Sequence, residues 1–93
     1  MITYNMFREL QPFFENVRKK EFDVCFGCKE TGVLNVRIFG VPSRMKELKE
    51  LFNTFLRDII FGDYKVCFYV DKCFLGKDNL YITFVSNFIL RDR

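Results

Sequence analysis

Apolar residues along this chain recur first at a helical spacing and then at a strand spacing. Between residues 5 and 19 they return every three or four positions, which places them on one face of a helix. Residues 21–28 and Val33–Phe39 alternate instead between apolar and polar positions, as half-buried strands do. The segment between these strands, residues 29–32, contains the glycine and polar residues typical of a turn. The first half of the chain therefore predicts a helix followed by a β-hairpin.

The second half shows the same succession of spacings. A helical period runs from about Arg44 to Ile60, and Gly62 follows as a natural helix stop. Alternation then predicts a strand from Tyr64 to about Phe74 and another over Leu80–Phe88. Residues 76–79, between these strands, form a strong turn signal.

Pro12 interrupts the pattern of the first helix. A proline inside a helix removes a backbone hydrogen bond and bends the axis. Two interpretations are open: either the helix is continuous and kinked at Pro12, or its regular part begins near Pro12 with the proline in the first turn.

The two halves also resemble each other residue by residue. Residues 22–26 (FDVCF) match residues 64–68 (YKVCF), and the alternating apolar positions of the second strand of each hairpin correspond. We interpret the chain as one domain, residues 1–93, with an internal repeat of residues 5–40 and 43–89. Two copies of this kind make a pseudo-symmetric domain rather than an extended repeat array.

A repeated helix–hairpin unit restricts the order of the strands. Each hairpin pairs with itself, and a right-handed crossover through the second helix leaves room for the fourth strand between the second and third. The predicted fold is an α+β two-layer sandwich of αββαββ order, with a four-stranded antiparallel sheet ordered 1-2-4-3 and both helices on one face. This is the topology of a ferredoxin-like sandwich whose first strand has moved to the C-terminus, and the correspondence is one of topology alone.

One face of such a sheet is filled by helices, and the other is left open. Alternation assigns the Phe, Val, Leu and Ile positions to the helix side and a mixture of polar, aromatic and cysteine side chains to the open side. A partly apolar open face favours a surface that binds a partner or a second copy. The residues expected to form this partner-binding face are Arg37, Lys65, Tyr69, Tyr81 and Thr83.

Four cysteines introduce candidate chemistry. Cys25 and Cys28 form a C-x-x-C pair, whereas Cys67 and Cys73 are more widely spaced. Four thiolates could bind zinc, but the predicted topology puts the two pairs on opposite edges of the sheet. We favour reduced cysteines that act as small apolar residues. Disulfides and a zinc-stabilised domain are the alternatives, and no cofactor is expected.

The start of the second helix is unusually basic. Ser43 is a good N-cap residue, and Arg44 and Lys46 follow it. A helix N-terminus combined with positive side chains suits an anion. The alternative is a solvated basic patch whose charge is offset by Glu47 and Glu50.

Composition narrows the classes of function. The chain has 93 residues, 13 of them Phe, and a net charge of +3 with no histidine. Catalysis is not expected, because acid–base chemistry would fall to groups other than His and no glycine-rich phosphate loop follows a strand. No apolar run reaches the roughly 20 residues of a membrane span, and no signal peptide is evident. We therefore expect a cytoplasmic location, in the interior of a host cell. Residue usage biased towards AT-rich codons suggests a viral or mobile-element origin.

These observations predict a small non-enzymatic interaction protein. It would bind a protein partner through its open sheet face, and self-association as a homodimer through the same face is a further option. The alternative is RNA or DNA binding, with Tyr69 and Tyr81 stacking on bases and Arg37 and Lys65 contacting phosphates. The mild net charge, and the absence of the glycine-and-aromatic signature of RNA-recognition sheets, weigh against that alternative.

Overall fold

The structure, a computed structural model, describes residues 2–61 and 66–87. Within these residues the elements follow the predicted succession of helix, hairpin, helix and hairpin. They are α1 (Ile2–Lys19), β1 (Asp23–Glu30), β2 (Val33–Phe39), a single 3-10 turn (Pro42–Arg44), α2 (Met45–Phe61), β3 (Phe68–Leu75) and β4 (Asn79–Ser86). Neither helix of the described ranges has the length and hydrophobicity needed to cross a bilayer.

The four strands form one antiparallel sheet in the order β1-β2-β4-β3. β2 and β4 therefore occupy the centre, and β1 and β3 form the edges. The predicted α+β sandwich and its strand order are confirmed. The internal repeat stays a prediction, because a shared element order does not by itself demonstrate duplication.

Both helices cover one face of the sheet, where aromatic side chains fill the interior. The ring centroid of Phe13 in α1 lies 5.5 Å from that of Phe52 in α2, and Phe52 lies 6.3 Å from Phe84 in β4. Burying each such ring contributes roughly 1.5–3 kcal/mol. The remaining buried apolar residues of the core are Met6, Leu10, Phe14, Val17, Phe22, Leu34, Val36, Ile38, Met45, Leu48, Phe68, Leu80 and Ile82.

α1 passes through Pro12 without ending. The helix begins at Ile2, so the interpretation in which it starts near Pro12 is wrong. Pro12 lies on the exposed side of α1, and Arg8, whose carbonyl loses its usual amide donor, is exposed as well. Water can therefore satisfy that carbonyl, which lowers the cost of a proline inside a helix.

The boundaries of both hairpins differ from those predicted. β1 continues to Glu30, so the first turn consists of Thr31 and Gly32 rather than residues 29–32. Gly32 has a φ of 85°, a left-handed conformation that glycine adopts without steric cost. β3 begins at Phe68, and the predicted strand start at Tyr64 lies outside the described residues.

A β-bulge in each edge strand reverses the alternation of its side chains. In β1 the additional residue lies between Gly27 and Glu30. In β3 it is Asp71, which has no residue opposite it in β4. An unbroken strand would place Phe74 on the helix side, but the bulge turns it to the open face, opposite Tyr81. The assignment of all Phe residues to the helix side is therefore wrong at this position.

α1 ends in a Schellman motif that has a glutamate where glycine is usual. The amide of Phe22 donates to the carbonyl of Val17 at 3.2 Å, and the amide of Glu21 donates to that of Arg18 at 2.9 Å. Glu21 has a φ of 68°. This left-handed conformation costs an L-residue roughly 1–2 kcal/mol. Phe22 and Val17 both belong to the core, and their burial offsets the strain.

We expect Glu21→Gly to stabilise the protein by about 1 kcal/mol, because glycine relieves the clash between Cβ and the following carbonyl. Urea unfolding followed by circular dichroism measures this change. Glu15→Gly, at an exposed position inside α1, is the matched control and should lose about 1 kcal/mol. Destabilisation by both substitutions would contradict the strain assigned to Glu21.

Candidate binding surface on the open sheet face

The open face of the sheet is organised in rows of paired residues that run across the strands. Residues opposite each other in an antiparallel pair point to the same side, so each row can be followed from β3 to β1. The Tyr81 row consists of Phe74, Tyr81, Arg37 and Cys25. The Asn35 row consists of Lys72, Thr83, Asn35 and Gly27. The Val85 row consists of Tyr69, Val85, Val33 and Glu30.

Asn35 is the centre of hydrogen bonding on this face. Its Oδ1 accepts hydrogen bonds from the hydroxyls of Tyr81 and Thr83, each at 3.0 Å. These two bonds cross from β2 to β4 and fix the orientation of the amide. Since Oδ1 takes both hydroxyl protons, the Nδ2 amino group is the part of Asn35 that can donate to a ligand.

The Tyr81 row joins two aromatic rings to a guanidinium group. Cζ of Arg37 lies 5.0 Å from the ring centroid of Tyr81, a cation–π contact. Phe74 adjoins Tyr81 on the edge strand and is 70% exposed, more than any other large apolar side chain that the structure describes. Exposed aromatic residues next to an arginine form the composition that dominates the binding energy of protein interfaces.

Short side chains over the central strands make the face concave. A trough of about 370 Å³ lies between the two edge strands. Thr83 and Val85 are buried at its floor. The longer side chains that border the trough are Lys29, Glu30, Tyr69, Lys72 and Tyr81. The trough is therefore a polar, shallow site that can take a side chain or a short segment of a partner.

The residues predicted for the partner-binding face lie on the open side wherever the structure describes them. These are Arg37, Tyr69, Tyr81 and Thr83. Thr83 forms part of the floor and is buried, so its contribution is to orient Asn35. Lys65 lies outside the described residues.

Sequence reasoning missed Phe74 and Lys72, which the bulge in β3 brings to the open face. The same bulge turns Cys73 to the helix side, where Nζ of Lys49 in α2 donates to its Sγ at 3.3 Å. The signal was present at Asp71 and Lys72, because two consecutive polar residues break the alternation of a strand.

The four cysteines do not come together. Cys25 and Cys28 lie in β1 and Cys73 in β3, on opposite edges of the sheet. Cys25, Cys67 and Cys73 are free. Across residues 2–61 and 66–87, no group of three potential ligands is arranged to hold a metal ion. The geometry therefore gives the zinc hypothesis no support.

Cys67 is held against α1 by the carboxylate of Glu9. Its backbone amide donates to Oε1 of Glu9 at 2.9 Å, and its thiol bonds to the same side chain. Burial first, and then the hydrogen bond and charge of Glu9, raise the pKa of the Cys67 thiol from 9.0 to about 11. Alternation assigned Cys67 to the open face. That assignment is wrong, because Cys67 precedes β3 and packs on the helix side.

The basic residues before α2 are engaged by their neighbours. Nη2 of Arg44 donates to Oε2 of Glu47 at 2.6 Å, and Cζ of Arg44 lies 4.3 Å from the ring centroid of Phe22. Ser43 lies inside the 3-10 turn rather than directly before a helix, and Lys46 is exposed. These contacts favour a basic patch offset by Glu47 over an anion site.

Comparison with known proteins gave no match to a protein-family model, to a curated protein or to a solved structure. The geometry and charge of the open face are therefore the basis for assigning a function.

We expect Cys67 to react with iodoacetamide far more slowly than Cys25 at pH 8. A rise in pKa from 9.0 to about 11 reduces the thiolate fraction about a hundredfold, and the thiolate is the reactive form. A time course read by peptide mass spectrometry measures both rates in one sample.

Glu9→Gln should accelerate the alkylation of Cys67, because it removes the carboxylate charge that opposes ionisation of the thiol. Cys25 supplies the internal control and should not change. Equal rates for the two cysteines in the unmodified chain would contradict the position assigned to Cys67.

Proposed function

We propose that this chain is a small non-enzymatic protein-binding domain, whose open face takes a short acidic segment with a large apolar side chain. The observation that carries the proposal is the Tyr81 row, in which Tyr81 lies between the strongly exposed Phe74 and Arg37. The same row supplies an apolar contact and a positive charge, so it suits a partner that offers both an apolar group and a carboxylate.

The apolar part of the proposal rests on Phe74 and Tyr81. A phenyl ring that is 70% exposed leaves apolar area in water that a partner can cover. Covering such a ring contributes roughly 1.5–3 kcal/mol, and aromatic residues and arginine are enriched at the centres of protein interfaces. This contact would supply most of the affinity.

The acidic part of the proposal rests on the donors around the trough. Arg37, Lys72 and the Nδ2 group of Asn35 all donate hydrogen bonds. Within the described ranges, neither Arg37 nor Lys72 forms an ion pair, since the salt bridge found there joins Arg44 to Glu47. A carboxylate over the trough would receive charge-assisted hydrogen bonds from Lys72 and Asn35, and one placed beside the trough would receive them from Arg37.

Single-stranded nucleic acid is the second candidate, because adjacent exposed rings with basic neighbours also suit stacked bases. The Tyr81 row and Lys72 provide those groups. However, Glu30 and Asp71 also line the trough. Their carboxylates would repel the repeated phosphates of a nucleic acid strand, whereas the single carboxylate of a short peptide segment can be placed at Arg37, which does not line the trough.

An intracellular setting fits the cysteines. Cys25 and Cys73 are free and exposed. Exposed thiols persist where the environment is reducing. A viral or mobile-element origin stays a prediction from composition.

Selection from a phage-displayed library of random short peptides tests the proposal. We expect the enriched peptides to carry Asp or Glu beside an aromatic or leucine residue. Fluorescence anisotropy with a selected peptide should show a roughly tenfold loss of affinity for Phe74→Ser and for Arg37→Ala, because each removes a central contact.

Tyr4→Ser is the matched control, since Tyr4 is 60% exposed but lies on α1. Its affinity for the peptide should equal that of the unmodified chain, and thermal melting should show all three variants folded. The proposal would be contradicted if the affinity for the selected peptides were unchanged by Phe74→Ser and by Arg37→Ala. The second candidate would be favoured if a labelled single-stranded oligonucleotide bound with an affinity that falls steeply as salt is added, and if the same two variants abolished this binding.

A further inference from the structure

The edge strand β1 is covered on its helix side. The ring of Phe26 lies 4.9 Å from that of Phe7 and 4.9 Å from that of Phe14, measured between centroids. The guanidinium of Arg18 lies 5.7 Å from the same ring. α1 and Arg18 thus cover part of the apolar side chain at this edge, which is 38% exposed.

The edge strand β3 lacks comparable cover. Phe74 and Leu75, which point to opposite faces, are 70% and 47% exposed. Phe74 takes part in none of the ring–ring or cation–ring contacts found in residues 2–61 and 66–87. Beyond the bulge at Asp71, the segment Lys72–Leu75 pairs regularly with β4, and no strand within residues 2–61 and 66–87 pairs with its outer side. Exposed apolar side chains on an unpaired strand edge form a template for a further strand.

We propose that this further strand is β3 of a second copy, paired antiparallel about a two-fold axis at Phe74. The two sheets would then form one continuous sheet of eight strands, four from each copy. When the two-fold axis passes at a residue, that residue faces its own copy, and residues opposite each other point to the same side. The open faces of both copies therefore lie on one side of the combined sheet, and both helical layers lie on the other.

The segment from Asp71 to Lys77, which consists of the end of β3 and the first two residues of the turn after it, is complementary to itself in this register. With the axis at Phe74, each residue faces the residue at the same distance on the other side of Phe74. The resulting pairs are Phe74 with Phe74, Cys73 with Leu75, Lys72 with Gly76, and Asp71 with Lys77 of the second copy. Apolar side chains therefore face apolar side chains, and the two charges that meet have opposite sign, as favourable cross-strand pairs require.

Other registers lose this complementarity. Moving the axis one residue to Cys73 would place Phe74 opposite Lys72 and Asp71 opposite Leu75. The ring and the carboxylate would then each face an unsuitable partner. An axis at Leu75 would place Phe74 opposite Gly76 and Cys73 opposite Lys77. Of these three axes, the one at Phe74 sets apolar residues opposite each other.

The assembly would set two troughs side by side on one surface. A partner with two binding segments could occupy both, which raises its apparent affinity without new contacts. The pairing of β3 does not depend on peptide binding by the open face, so each proposal can fail alone.

Charge reversal tests the pairing. Sedimentation velocity of the full chain under reducing conditions, over a range of concentrations, should show a monomer–dimer equilibrium. Asp71→Lys and Lys77→Asp should each raise the dimer dissociation constant at least about tenfold, and the double variant should restore it. A monomer at all concentrations, or single variants that dimerise like the unmodified chain, would overturn the inference.

A cross-link tests the register. Leu75→Cys would place a thiol opposite Cys73 of the second copy, and oxidation by diamide should join the two as a disulfide. Lys29→Cys, on the other edge strand, is the control and should stay monomeric on a non-reducing gel. If mass spectrometry identified intermolecular disulfides that do not include Cys73, this register would be refuted. Lys77→Asp should weaken the dimer while leaving peptide affinity unchanged, which separates this inference from the proposed function.

Discussion

A four-stranded sheet has two faces, and within residues 2–61 and 66–87 the helices α1 and α2 cover only one of them. That one-sided burial determines which side chains each face of the sheet requires. The helix side needs large apolar groups at every inward position, and Phe14, Phe52 and Phe84 occupy it fully buried. The open side must stay ordered in water without a second layer. It achieves this with contacts between neighbouring strands, of which the two hydroxyl bonds to Asn35 and the stacking of Arg37 on Tyr81 are the clearest.

The ring of Phe22 lies close to three points at which the chain changes direction, namely the end of α1, the end of β2 and the start of α2. It follows the left-handed residue that ends α1, and the guanidinium of Arg44, just before α2, lies over it. A Cβ atom at Gly40 would come within 2.7 Å of the same ring, so a glycine is required where β2 leaves the sheet. The amide of Gly40 in turn donates to the carbonyl of Asp78 at 3.0 Å, which ties this loop to the second hairpin. One buried side chain thus links both helices to the sheet.

The strand order could be predicted from the sequence because the repetition of helix and hairpin leaves few topologies that obey the handedness of crossovers. The orientation of Phe74 could not be predicted by alternation, since it depends on how β3 is aligned with β4 and not on β3 alone. The position of Cys67 could not be predicted for a related reason. The carboxylate that contacts it belongs to Glu9, which is 58 residues away in the chain. Elements that follow from local periodicity could thus be predicted from the sequence, whereas side-chain positions that depend on a partner distant in the chain could not.

Asp71 also marks a position at which the chain can shorten in evolution without changing this surface. Loss of its single codon would remove the bulge and restore strict alternation along β3. Phe74 and Lys72 would stay opposite Tyr81 and Thr83 on the open face, because the pairing with β4 on both sides of Asp71 would be unchanged. A deletion at this site would therefore preserve the recognition chemistry of one sheet edge while straightening its strand in a single mutational step. The residues of the central strands and of both helices would keep their identity throughout that step.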